Sequence, residues 1–113
     1  NCAVDTDGEV QCWGRDFYGE ASPPPGGFVQ VAAGLYHTCG INYSGEIQCW
    51  GVTDGSAFDS GQVSDAPING YFLQITSGLW HSCALENNGD IQCWGRDSFG
   101  QSSVPSNYIS YPF

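Results

Sequence analysis

The sequence predicts an all-β protein assembled from repeated, disulfide-pinned hairpins. Three observations carry that reading. A block of one plan occurs three times, as NCAVDTDGEVQCWG (1–14), TCGINYSGEIQCWG (38–51) and SCALENNGDIQCWG (82–95). Each block sets two cysteines ten residues apart around a glycine-containing turn sequence. The first cysteines fall at 2, 39 and 83, and a period of this size marks supersecondary units that bury their apolar faces only against neighbours.

Taken in order, residues 1–14 read as a hairpin whose two extended runs flank DTDGE, with Gly8 supplying the positive φ that a short hairpin loop requires. RDFYGE (15–20) and SPPPGG (22–27) follow as a surface loop and a proline-stiffened link. FVQVAAG (28–34) is the opening strand of the next unit, and the second hairpin turns at NYSGE through Gly45. After it, VTDGSAFDSGQ (52–62) holds most of the extra length, as a surface loop does, because loops absorb insertions at small thermodynamic cost. SDAPING (64–70) links to FLQITSG (72–78), and the third hairpin turns at ENNGD through Gly89. RDSFGQ (96–101) repeats the first loop, and SSVPSN (102–107) leads into YISYPF (108–113), with Tyr108 and Ile109 standing where Phe28 and Val29 stand. The units are therefore expected at 1–27 (partial), 28–71 and 72–107, with 108–113 as the opening strand of a next unit or a closing strand.

The turn centres, Asp7, Ser44 and Asn88, lie midway between the cysteines of their blocks, which makes those cysteines cross-strand neighbours. Opposed Cβ atoms in a non-hydrogen-bonded pair are about 4.5–5.5 Å apart, within reach of a bridge after slight adjustment. Cys2–Cys12, Cys39–Cys49 and Cys83–Cys93 are the expected pairs, although six cysteines allow 15 pairings in principle. Six cysteines in 113 residues, with no CxxC, point to an oxidising compartment rather than a zinc site, and hence to a secreted or cell-surface location. Two basic against twelve acidic residues give a net charge of −10, which argues against nucleic acid, since phosphate binding is driven by basic side chains that release counterions. No apolar run approaches the roughly 20 residues that span a bilayer, so membrane insertion is not expected. The abrupt NCAV start and the absence of methionine suggest a processed chain or a piece of a longer one.

The pattern G-x-x-H-(S/T)-C-(A/G)-(L/I)-x-x-x-G-x-(I/V)-Q-C-W-G, followed by x-x-G-Q, resembles the repeats of regulator-of-chromosome-condensation-like β-propellers. It is most similar to the short, cysteine-bearing extracellular variety, and also resembles a propeller that inhibits β-lactamase. The resemblance implies β-propeller-type repeats, and because such rings usually close with about seven blades, some three repeats imply an incomplete ring or part of a larger one. It leaves function open among exchange, inhibition, recognition and scaffolding.

Several repeated residues are candidates for chemistry. His37 and His81 share one repeat position, which points to structure, a ring nitrogen bonded to a loop backbone, over metal or catalysis. Trp13, Trp50 and Trp94 follow the second cysteine of each block and are expected to pack between units with the indole N–H on a carbonyl, sugar stacking being the alternative. Tyr36 and its counterpart Trp80, with Phe58 of the insertion, are candidates for a binding surface. Arg15 and Arg96, each before an aspartate, read as hydrogen-bond forks between units. Asp5 and Asp7 suggest calcium, but Asn42 and Ser44, then Glu86 and Asn88, replace them in the other copies as plain turn formers, so no metal or other cofactor is expected. Serine elbows, phosphate-cradling loops and HExxH are absent from the sequence, and an enzyme is not expected. Asn42-Tyr43-Ser44 is an N-glycosylation sequon at a hairpin tip, and Ser22, Pro23, Pro24 and Pro25 form an extended segment open to hydroxylation and O-glycosylation. The partners expected are proteins, through self-association or neighbouring blades of the same chain, with glycans as a further class. The function read here is an extracellular structural or interaction module, either a propeller segment or a fibre-forming protomer. The alternative is a ligand-recognition domain: a receptor ectodomain, a lectin or an enzyme inhibitor.

Overall fold

Alternating polar and apolar residues around each Gly-centred turn fold into eight strands among the described residues. The computed structural model describes residues 1–14, 16, 18–53, 55 and 58–96. The strands are β1 (Cys2–Val4), β2 (Val10–Cys12), β3 (Phe28–Ala33), β4 (His37–Asn42), β5 (Ile47–Gly51), β6 (Phe72–Ser77), β7 (His81–Glu86) and β8 (Ile91–Gly95). They form three antiparallel sheets, ordered β1-β2, β3-β4-β5 and β6-β7-β8. Arg15, the RDSFGQ stretch after Arg96, the last link and the 108–113 strand expected from sequence lie outside the described residues.

The hairpins close as the turn sequences predict. In the first, Gly8 N–H donates to Asp5 O and Asp5 N–H to Glu9 O. Gly45 and Gly89 repeat the former bond to Asn42 and Glu86. Gly8, Gly45 and Gly89 sit at φ 81°, 81° and 93°, a region that costs a residue with a Cβ about 1–2 kcal/mol. An Asx turn reinforces the first two hairpins. Asp5 Oδ1 accepts from the Asp7 and Glu9 amides at 2.8 and 3.0 Å, and Asn42 Oδ1 accepts from those of Ser44 and Glu46 at 2.9 and 3.1 Å.

This register places the cysteines directly opposite one another, Cys2↔Cys12, Cys39↔Cys49 and Cys83↔Cys93. All three pairs are bonded, with Cα–Cα separations of 4.1, 4.0 and 4.1 Å. The opening strands carry a device that the sequence pattern did not expose. The ladder of β3 skips Val29 and that of β6 skips Leu73, a bulge repeated at one position of both copies.

The second and third sheets share one core, in which Cys39, Ile41, Ile47, Phe72, Ile75, Ala84 and Trp94 are buried. One hydrogen bond recurs where sheet meets sheet: Phe28 N–H donates to Gly8 O at 2.8 Å, and Phe72 N–H donates to Gly45 O at 2.9 Å. Each hairpin turn thereby holds the start of the next unit. Tyrosines cover two of the turns from outside, so that a Cβ on Gly8 would strike the Tyr43 ring and one on Gly45 the Tyr71 ring.

Candidate functional site

The two G-x-x-H loops place Tyr36 and Trp80 side by side. Leu35 N–H donates to Leu79 O at 3.0 Å, which ties the β3–β4 loop to the β6–β7 loop. In each loop the glycine is needed because the histidine ring lies over it: a Cβ on Gly34 would run into His37, and one on Gly78 into His81. Turned this way, Tyr36 and Trp80 meet edge to face with centroids 5.1 Å apart. Phe58, from the 52–62 insertion, lies 4.8 Å from Tyr36 and 6.0 Å from Trp80, nearly parallel to the latter at 28°. Tyr18, from the preceding connection, completes the group at 5.5 Å from Tyr36. The structure thus assembles all three surface candidates into one aromatic cluster. Tyr18 was missed, although its place in FYGE beside Phe58 in the longer insertion was the available signal.

The cluster is half open to solvent. Tyr36 is buried at its base, whereas Phe58, Leu35 and Leu79 are exposed at 40, 37 and 63 %. The guanidinium of Arg96 stands 5.4 Å from the centre of the Trp80 ring, a cation–π contact. Arg96 is the sole Lys or Arg among the described residues.

His37 is fully buried, and its Nε2 lies 2.8 Å from Ser82 Oγ of the third sheet. A hydroxyl of the neighbouring sheet is thus one partner of the ring, and the His81 backbone is another. Burial pushes the His37 pKa down to about 4, so the ring is neutral at ordinary pH. Ser82 Oγ also meets Ser77 Oγ at 2.7 Å and Cys39 Sγ at 3.7 Å. His81, the counterpart of His37, is half-buried. Among the described residues no group of three or more His, Cys, Asp or Glu is arranged to hold a metal ion.

The tryptophans divide. Trp50 Nε1–H donates to Glu20 O at 3.1 Å and Trp94 Nε1–H to Gln62 O at 2.9 Å, each indole packed on the connection that precedes its own unit. Trp13 instead is 55 % exposed, so within this chain it does not share the packing expected of all three tryptophans. In Trp50 and Trp94 the anchoring carbonyl comes from the connection that precedes the unit. Glu20 and Gln62, both in a G-(E/Q) pair, were not recognised as anchors, although their repetition was the signal.

Asn42 is half-buried with its Oδ1 engaged in the Asx turn, while Tyr43 beside it is 63 % exposed. Pro23, Pro24 and Pro25 face Tyr43, Asp7 and Glu9 across an open groove of about 500 Å³. The Ser22 hydroxyl donates to Asp16 Oδ2 at 2.6 Å, and this bond, with one from the Ala21 amide, holds the Asp16 carboxyl below its usual range.

Residues 28–57 and 72–101 match the model of the Regulator of chromosome condensation (RCC1) repeat, together more than half of the chain. No protein of curated function matches it in sequence. Among solved structures, the chain is similar to the CRINKLY WD40 ectodomain of the Arabidopsis thaliana receptor kinase ACR4, at 24 % identity and TM-score 0.68, over 89 % of this chain and 34 % of that one. It is similar to the ectodomain of the Physcomitrella patens receptor kinase CR4, at 23 % identity and TM-score 0.64, over 95 % of this chain and 32 % of the other. It is also similar to yeast RCC1 (Prp20) in its complex with Kap60, at 17 % identity and TM-score 0.67, over 85 % and 30 %. The chain spans about a third of the length of each. These likenesses establish the fold, and the repeats are of the β-propeller type.

Proposed function

The chain belongs to the Regulator of chromosome condensation (RCC1) repeat family, and on that premise we propose that it is an extracellular, non-enzymatic interaction module, a propeller segment that associates through its sheet edges and loops. One observation carries this reading. β4 and β7 each lie between two strands, whereas β1 has β2 as its one neighbour among the described residues. A strand with one side unpaired presents main-chain donors and acceptors to another chain. In this reading the blades are 1–27, 28–71 and 72–107, and 108–113 is the opening strand that completes a hairpin such as β1-β2 in a neighbouring molecule or blade. Three disulfides support a location outside the cell. Two similar structures are receptor-kinase ectodomains and a third was solved with Kap60 bound, which supports a protein-binding role. Asn42, and less directly Ser22 with Pro23–Pro25, are the proposed glycan sites. Sedimentation under non-reducing conditions tests the reading. Concentration-dependent association is expected, weakened by Ala3→Lys, which blunts the exposed β1 edge. A monomer at every concentration would remove it.

The aromatic cluster favours a second reading, recognition of a ligand by the face around Tyr36, Phe58 and Trp80. Binding on a glycan or protein array that disappears in Trp80→Ala would establish it, and binding indifferent to that change would exclude it.

A further inference from the structure

The second and third sheets are one unit in two surroundings. The third sheet covers one face of the second, and the contacts are specific. Gln30 reaches across with both ends of its amide, Nε2 donating to the carbonyl of bulged Leu73 at 2.6 Å and Oε1 accepting from Ile75 N–H at 3.2 Å. His37 meets Ser82, and Cys39 and Ile41 are fully buried. Forty-four residues on, the third sheet presents the same set on its own outer face: Gln74, His81, Cys83 and Leu85. Here Gln74 and Thr76 are exposed, and Gln74 makes no side-chain hydrogen bond among the described residues. A shallow depression lies over Gln74, Thr76, Cys83 and Leu85.

We propose that this outer face docks the first sheet of a second copy of the chain. A face that matches one already burying a repeat unit calls for a repeat unit as its complement. That unit needs a polar side chain just before its first cysteine, where Ser82 stands, and a tryptophan after its second. The first sheet has both, Asn1 and Trp13, and both are exposed. Asn1 takes the place of Ser82 against His81, and Trp13 gains the burial that Trp50 and Trp94 already have. This inference rests on the association proposed above and names its second surface. The two surfaces differ, so the contact is heterologous and propagates into a ring or a filament rather than ending at a dimer.

Sedimentation of the disulfide-bonded 113-residue protein decides it. Thr76→Lys on the outer face and Trp13→Ala on the first sheet are each expected to weaken association at least tenfold, with the circular dichroism of the monomer unchanged. Mixed together, the two variants keep one intact surface each, and a dimer that grows no further is expected. Association indifferent to Thr76→Lys and Trp13→Ala overturns this inference and leaves edge-mediated association standing. Association sensitive to both but not to Ala3→Lys overturns the edge reading alone, and no association of the unaltered chain overturns both.

Discussion

The first and second hairpins share a turn, a disulfide and a CWG ending, yet they live in different environments. Cys39 is fully buried, whereas Cys2 and Cys12 are each half-buried. Trp50 is 8 % exposed and Trp13 is 55 % exposed. Both hairpins have the same cross-strand register, so the difference lies outside them. The second hairpin has the Glu20 connection on one side and the third sheet on the other. Its Trp50 and Thr38 donate to the Glu20 carbonyl, and its His37 meets Ser82. A repeat sequence thus specifies a hairpin locally but leaves the burial of its signature residues to the neighbours.

Trp50→Ala should break this contrast most severely. It removes a buried aromatic side chain and its hydrogen bond, at an expected cost of about 3–5 kcal/mol, whereas Trp13→Ala should change the stability of the monomer by less than about 0.5 kcal/mol. Denaturant unfolding of the two variants with disulfides intact measures the difference, and equal losses would mean that Trp13 is already packed in solution.

Acid should sharpen the contrast more gently. His37 has an ordinary value of 6.5 and a folded value of about 4. The unfolded chain therefore takes up a proton that the folded chain refuses between those values. Stability is complete above the ordinary value, declines as pH falls through the window and levels off below about 4, a total of about 3 kcal/mol. Hydrogen exchange at pH 4.5 should show faster opening where the second sheet meets the third than at pH 7, with less change between the first and second sheets, whose described contacts include no histidine. His37→Gln retains a hydrogen-bonding side chain but does not titrate, and should flatten the decline. A decline unchanged in that variant would assign the acid sensitivity to carboxylates such as Asp5 and Asp16, both held below their usual range by hydrogen bonds, Asp5 chiefly by the Gln11 side chain and Asp16 by Ser22.

Much of the fold was legible because its signals are short-range. The turns follow from one glycine and one hydrogen-bonding Asx side chain within five residues, and the disulfides from cysteines placed symmetrically about those turns. The bulges at Val29 and Leu73 were not legible, because alternation of apolar residues does not show which residue leaves the ladder. The candidate surface was legible in part. Tyr36 and Trp80 were found from their shared position, and Phe58 from its place in the insertion. That they touch, with Tyr18 beneath, depends on the Leu35–Leu79 hydrogen bond between loops in different repeats.

The sequence by itself determined the hairpins, their turns and the pairing of all six cysteines, since each is closed by contacts within about ten residues, a span over which chain geometry leaves few choices. Only the tertiary structure decided which copy of a repeated residue is buried, that His37 meets Ser82 45 residues away, and that Arg96 rests on Trp80. Those outcomes depend on which surface covers which. Copies with nearly the same local sequence are told apart only by the neighbours that exclude water from them.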